Sequence, residues 1–227
     1  FLLENRVAEE PDAVGRHGER GYRRPPVAGT SQYFEPEPSV ASRRRTLELV
    51  LPDGTLRLQS DRGVFAAAAV DPGTKLLLLE PTTTPEGAVD LLDLGCGYGP
   101  IALTLARRAP EATVWAVDVN QRALGLCAAN AEANGLTNVR VVPPDGVPPG
   151  VRFAGIWSNP PIRVGKDALH TLLLSWLERL DADARAWLVV QKHLGSDSLA
   201  RWLEEHGWSA DRVRSRSGYR VLAVHRR

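Results

Sequence analysis

The chain has 227 residues, 43% hydrophobic and 24% charged, and its 28 Lys and Arg against 27 Asp and Glu leave a net charge of +1. Such a composition suits one domain with a sizeable core plus an extra segment, and it excludes a wholly disordered chain. It also excludes a bulk polycation, so any contact with nucleic acid must come from basic residues gathered on one face.

Two cysteines, Cys96 and Cys127, stand outside any metal-ligand spacing and read as free thiols of a reducing compartment, with no metal expected. No apolar run approaches the roughly 20 residues that span a bilayer. The start, from Phe1 to Asp12, lacks the basic flank and long apolar stretch of a signal peptide, and the missing first Met is compatible with a start further upstream. The expected location is the cytoplasm, with no membrane partner.

Residues 1–40 are rich in Pro, Gly, Arg and Glu, show no period, and read as a flexible extension. Arg43-Arg44-Arg45 follows it as a solvated charge cluster or a phosphate contact. Residues 41–227 read as the folded domain. Within it, residues 46–60 alternate apolar and polar on either side of Pro52-Asp53-Gly54, a β-hairpin pattern. Asp71-Pro72 reads as a helix cap with Pro in the first turn.

From residue 88 to 227 strands and helices alternate. Residues 88–95 form a buried strand running into a Gly-rich turn, and 101–109 a helix. Residues 112–119 form a strand, and 121–135 a helix closed by Asn134-Gly135. Strands follow at 138–142 and 153–161, a helix at 167–180, a strand at 184–191 and a helix at 197–207. Residues 208–226 form a hairpin around Ser217-Gly218. Alternation of this kind means βαβ units and a parallel sheet, into which the last strand inserts antiparallel.

Four motifs stand at strand ends. The first is Asp93-Leu94-Gly95-Cys96-Gly97-Tyr98-Gly99, where glycines permit a tight turn and close approach of a ligand to backbone. It lacks the Gly-Lys-Ser/Thr ending of a phosphate loop and the GxGxxG spacing of a dinucleotide site, which disfavours a dehydrogenase. An acid two residues before the first glycine repels a pyrophosphate and suits a cation or an amine. The second motif is Val117-Asp118-Val119-Asn120. Asn120 suits the cap of the next helix and leaves Asp118 for ribose hydroxyls. The third, Pro144-Asp145-Gly146, is a simple turn or an acid facing an adenine amino group. The fourth, Asn159-Pro160-Pro161-Ile162, fixes a strand end rigidly and holds a side-chain oxygen and a backbone carbonyl as convergent acceptors for one NH2 group.

In this order, the four motifs resemble a class I S-adenosylmethionine (SAM)-dependent methyltransferase, and the Asn-Pro-Pro motif is similar to that of enzymes methylating adenine N6, guanine N2 or a glutamine amide. Residues 62–66, 71–80, 93–103, 159–166 and 189–195 resemble the small-methyltransferase domain of the 16S ribosomal RNA guanine-N2 methyltransferases. The resemblance covers roughly residues 45–227. It implies a Rossmann-like α/β fold with a seven-stranded, mostly parallel sheet, an antiparallel C-terminal strand and the N-terminal hairpin. The implied activity is N-methylation of an exocyclic amine, foremost guanine N2 of 16S rRNA, with SAM as cofactor and ribosomal RNA or the small ribosomal subunit as partner. The alternatives are an adenine-N6 or protein glutamine methyltransferase, or a non-catalytic SAM-binding ribosome-assembly factor.

By the resemblance, Asp93, Gly95, Cys96, Gly97, Tyr98 and Gly99 hold the amino-acid end of SAM. Asp118, Val119 and Asn120 hold its ribose, Asp145 and Gly146 its adenine, and Asn159 lies beside it. Asn159, Pro160, Pro161 and Ile162 form the catalytic stretch, and Val64 and Phe65 pack near it. Arg163, Lys166, Lys192 and His193 follow strand ends on the ligand-binding edge of the sheet and are candidate phosphate contacts. Two departures from the family stand out. Longer members carry a second, N-terminal copy of the domain, where this sequence has the hairpin and the extension. Ile162 also occupies the position of an aromatic that stacks on the target base; Phe65 and Trp157 are the candidate replacements, Trp157 reading as core.

Overall fold

The computed structural model describes residues 38–80 and 84–227. Most of the extension expected over residues 1–40 lies outside the described residues. Strands β1 (Arg45–Leu51) and β2 (Gly54–Ser60) form the expected antiparallel hairpin. Their alternation becomes two faces, with Leu49, Leu51, Leu56 and Leu58 buried and Val50 and Arg57 exposed. Asp53 in the turn accepts bonds of 2.8 and 3.0 Å from Arg108, which pull its carboxyl down to about 2.

Helix α1 (Pro72–Leu79) starts as the sequence indicates, with Asp71 capping the N–H of Thr74 and Pro72 in the first turn. The main domain then runs β3 (Asp90–Leu94), α2 (Pro100–Arg108), β4 (Thr113–Val117), α3 (Gln121–Ala133), β5 (Val139–Val142) and β6 (Phe153–Ser158). It continues through α4 (Lys166–Leu177), β7 (Leu180–Gln191), α5 (Ser196–Glu205), β8 (Trp208–Arg216) and β9 (Tyr219–Arg226). The helix expected to reach residue 180 stops at Leu177. The chain is needed there for the sheet, because Phe153 pairs with Leu180 and its N–H bonds the Arg179 carbonyl at 2.9 Å.

The seven-stranded sheet has the order β5-β4-β3-β6-β7-β9-β8. Neighbours from β5 to β7 are parallel, and β9 enters antiparallel between β7 and the edge strand β8. Ser217 (φ 49°) and Gly218 (φ 83°) make the tight β8–β9 turn. Successive strand residues face opposite layers. Leu91, Ala116 and Val189 join a core with α1, α2, α3 and the hairpin, whereas Leu92, Val117 and Leu188 join one with α4 and α5.

The hairpin docks on α3 through two asparagines one helical turn apart. Asn130 accepts from the Gln59 N–H at 2.7 Å and donates to the Gln59 and Tyr98 carbonyls at 2.9 Å. Asn134 bonds both backbone groups of Arg57. Side-chain amides thus stand in for a neighbouring strand along the outer edge of β2, satisfying backbone groups that an edge leaves open.

Candidate active site

A cavity of about 440 Å³ opens at the carboxyl ends of β3, β4 and β6, and its lining takes in the Gly-rich turn and the Asn-Pro-Pro stretch. The turn's three glycines all have positive φ, at 76°, 55° and 95°, which side-chain-bearing residues rarely adopt. Their duties differ. A Cβ on Gly95 or Gly97 meets nothing within 4 Å, leaving bare backbone toward the cavity. A Cβ on Gly99 lands 2.6 Å from Leu103 and 2.7 Å from Cys127, so this glycine lets α2 and α3 pack closely and does not line the cavity.

Two acids sit under this turn. Gly99 caps α2 without a side chain, and Asp93 takes over by accepting from the Ala102 N–H at 2.8 Å. Its other oxygen is buried without a partner. Burial foremost, with Asp118 nearby, pushes the Asp93 carboxyl up to about 8. Asp93 itself is fully buried and does not reach the cavity wall. Asp118 does, and it accepts from the N–H groups of Gly97 at 2.8 Å and Asn120 at 2.9 Å. Burial shifts its carboxyl up as well. Asn120 caps α3 by accepting from Ala123, and its amide donates to the Gly63 carbonyl, tying the loop after β2 to this strand end.

The opposite wall holds Asn159, Pro160, Pro161 and Ile162, brought alongside the turn because β6 is the neighbour of β3. The Asn159 amide nitrogen donates to Asp71 Oδ1 at 2.9 Å and Thr74 Oγ1 at 3.0 Å. The Pro160 carbonyl accepts from the Ile162 N–H at 2.8 Å, and its second lone pair remains an acceptor. Phe65 is 47% exposed and lines the cavity beside Ala66, whose φ of 53° marks a strained turn of the loop. Val64 is buried in the core, as is Trp157 at 1% exposure, so of the two candidate replacements Phe65 is the one open to the cavity.

The remaining sequence candidates divide. Cys96, Tyr98, Val119 and Arg163 line the cavity. Asp145 and Gly146 do not: Pro143 and Pro144 enter a short 3-10 turn closed by the Gly146 N–H on the Pro143 carbonyl, which puts Pro144 at the wall and turns Asp145 outward. Lys192 and His193 are exposed in the turn after β7, outside the lining. Lys166 lines a smaller neighbouring pocket with Ile162 and His170. Asp71, Thr74, Gln191, Leu194 and Tyr219 line the main cavity without having been singled out as site residues. They come from the start of α1, the end of β7 and the turn after it, and the start of β9; Asp71 stood out in sequence only as a helix cap.

The donor set fits SAM. The buried, partnerless oxygen of Asp93 and the raised Asp118 both gain from a positive charge. Asp118 retains lone-pair capacity for hydroxyl groups. Val119 and Pro144 offer apolar surface to a planar base. Among the described residues no cluster of His, Cys, Asp and Glu is placed to hold a metal, and no helix is long and apolar enough to cross a membrane.

A sheet of this order with a glycine turn at the end of its first strand defines the class I methyltransferase fold. The methyltransferase small domain family model matches residues 55–223, and the chain belongs to that family. It is 38% identical over 196 residues to Uncharacterized protein YbxB of Bacillus subtilis, covering 85% of this chain and 97% of that one. It is 32% identical over 182 residues to Ribosomal RNA small subunit methyltransferase C of Shewanella halifaxensis, covering 78% of this chain and 51% of the relative. A similar solved structure is that of a T. thermophilus 16S rRNA N2 methyltransferase (RsmC) in complex with AdoMet and guanosine. It has a TM-score of 0.69 and 28% identity, over 84% of this chain and 52% of that one. The chain thus spans about half the length of these RsmC relatives and nearly all of YbxB.

Proposed function

We propose that the protein is a SAM-dependent N-methyltransferase acting on an exocyclic amino group, foremost guanine N2 of small-subunit ribosomal RNA. The observation that carries this reading is Asn159-Pro160 in one cavity with the glycine turn, its amide oxygen left open while its nitrogen is tied back. The RsmC relatives supply the RNA and the position on the base.

In this reading Gly95 and Gly97 bring backbone against the amino-acid end of the cofactor, Asp93 below the turn gives up its proton as positive charge arrives, and Asp118 takes the ribose hydroxyls. Val119 and Pro144 flank the adenine. When bound, SAM supplies an activated methyl: its S–C bond breaks with the electron pair going to sulfur, a C–N bond forms, and the surplus proton leaves nitrogen for water. An exocyclic amine is a poor nucleophile because its lone pair is delocalised into the ring. The Asn159 oxygen and the Pro160 carbonyl hold its two hydrogens, turn the lone pair toward the methyl and stabilise the positive charge that grows on nitrogen. Phe65 offers its face to the base, in place of the aromatic that Ile162 does not provide.

RNA must reach this cavity past a basic rim. Arg163 stands at the wall, and Lys192 and His193 in the next turn, where the Lys192 N–H bonds the Gly218 carbonyl of the β8–β9 turn. Arg216 is exposed along that hairpin, as is Arg214, whose guanidinium is paired with Glu80. The test is transfer of labelled methyl from SAM to small ribosomal subunits and to naked 16S rRNA, followed by nucleoside mass spectrometry. N2-methylguanosine is the expected product. Label confined to adenine or to protein overturns the guanine assignment, and no transfer to either substrate overturns the RNA assignment.

A further inference from the structure

Asn159 is held from a part of the chain far away in sequence. Its amide nitrogen has two hydrogens, and both have partners: Asp71 Oδ1 at 2.9 Å and Thr74 Oγ1 at 3.0 Å. The same Asp71 oxygen caps α1 through the Thr74 N–H at 3.0 Å, so the start of that helix and the catalytic amide share one acceptor. The second Asp71 oxygen accepts from the Tyr219 hydroxyl at 3.3 Å, and that hydroxyl accepts from Gln191 Nε2 at 2.9 Å. Tyr219 approaches because residue 73 is glycine: a Cβ there falls 2.5 Å from the Tyr219 ring. Four elements, α1, β6, β7 and β9, thus meet in one hydrogen-bonded chain on the cavity wall.

A carboxamide can present either its oxygen or its NH2 to a ligand, and rotation by a half-turn exchanges them. We propose that Asp71 is a positioning residue which, with Thr74, locks the Asn159 amide so that only its oxygen faces the cavity. Tyr219 and Gln191 brace Asp71 in turn. The lock sets what the site accepts. With the amide NH2 withdrawn, the Asn159 oxygen and the Pro160 carbonyl together present acceptors alone, which favours a target that donates N–H and rejects one that offers a carbonyl oxygen at that place. An acid on the far side of the amide also draws its hydrogens and enriches its oxygen, strengthening the acceptor as positive charge grows on the target nitrogen.

This inference rests on the methyltransferase reading for its rate effects, so the test pairs kinetics with a readout that needs no turnover. Asp71→Ser keeps an oxygen able to cap α1 but is too short to reach Asn159. Asp71→Asn keeps the oxygen that serves both Thr74 and Asn159. The expected result for Asp71→Ser is a kcat loss of about 10- to 100-fold with unchanged SAM affinity by calorimetry, while Asp71→Asn recovers activity to within a few-fold of the parent. In 15N-asparagine-labelled protein, the Asn159 NH2 signals, assigned by their loss in Asn159→Asp, are protected from hydrogen exchange in the parent and in Asp71→Asn and unprotected in Asp71→Ser. Tyr219→Phe, which leaves the α1 cap untouched, lowers kcat by a smaller factor in the same direction. Unprotected Asn159 hydrogens in the parent overturn the lock, as does full kcat in Asp71→Ser. If the parent transfers no methyl to RNA yet shows protection that Asp71→Ser abolishes, the lock stands and the RNA assignment falls.

Discussion

The two walls of the cavity are built in opposite ways. The wall proposed for the cofactor is the more local: the glycine turn, Asp93 and the start of α2 lie within a stretch of ten residues and offer backbone set by positive φ, and Asp118 joins from the end of the next strand, 21 residues on from Gly97. The target wall is assembled at long range. Asn159 meets Asp71 across 88 residues, and Asp71 meets Tyr219 across 148. A wall of the first kind is fixed once two successive strand–helix units pack, because the Gly95 and Cys96 N–H groups bond the Val117 carbonyl and the Gly97 N–H bonds Asp118. A wall of the second kind depends on the whole sheet being closed by β9, and its function rests on a few side chains whose orientations are set by one another.

The sharpest way to separate the walls is Asn159→Ala. Removing one preorganised partner of the developing charge costs about 10²–10³ in kcat. The SAM dissociation constant should stay within about twofold, because the cofactor wall is untouched. Calorimetry and single-turnover transfer on the same preparation check both. An equal loss in affinity and rate shows that the two walls are not independent and breaks the comparison.

The same contrast explains what was legible in the sequence. The alternation of strands and helices, the inserted last strand and the hairpin could be read because each is written in local alternation, glycine turns and caps such as Asp71-Pro72, while the seven-stranded Rossmann-like arrangement was implied by the family resemblance. The glycine turn, Asp118 and the Asn-Pro-Pro stretch were visible because strand ends carry their motifs contiguously. Asp71 was legible only as a helix cap, and its reach to Asn159 was not, because no spacing records which side chains a folded sheet brings together. Tyr219 and Gln191 read as ordinary strand residues for the same reason. Asp145 carried two readings in sequence, a simple turn or an acid facing an adenine amino group; the chain makes a short turn there that puts Pro144 at the wall and leaves Asp145 exposed.

Within the cofactor wall, glycines separate packing from ligand space. Gly99→Ala combines strain at φ 95° with overlap on Leu103 and Cys127, each costing about 1–3 kcal/mol. Its denaturant midpoint should fall markedly. Gly97→Ala, with φ of 55° and no neighbour within 4 Å, loses about 1–2 kcal/mol to its left-handed backbone; its larger loss should be in SAM affinity. Comparable destabilisation by the two changes, with SAM affinity intact in Gly97→Ala, removes the distinction.

On the target wall, Phe65→Ala tests the base-stacking surface. Base–aromatic stacking contributes about 1–3 kcal/mol per base, so the KM for RNA should rise by about 5- to 150-fold, while SAM affinity and the pairing of Asn159 with Asp71 persist. Phe65→Tyr should behave as the parent. An unchanged KM in the alanine variant points to a target that does not stack there, and a protein amide then gains ground over a base.

The remaining effect is spread over pH and concerns Asp93. Its folded-state value of about 8 lies above the ordinary 3.8, so between those values the folded protein retains a proton that the unfolded chain has released. Stability of the cofactor-free protein is therefore fullest at the acid end of that window and is lost as pH rises through it, by at most about 1.4 kcal/mol per pH unit for one proton. Asp93→Asn cannot release the proton, so the difference between variant and parent in denaturation midpoint should shift toward the variant from pH 5.5 to 8. Any constant penalty for burying the new amide cancels from that slope. SAM, by bringing positive charge to the turn, lowers the Asp93 value and should flatten the parent's curve toward that of the variant. A parent and variant that run parallel across the window show that Asp93 is already ionised in the folded protein, and a standing negative charge then lies under the turn where burial favours a proton.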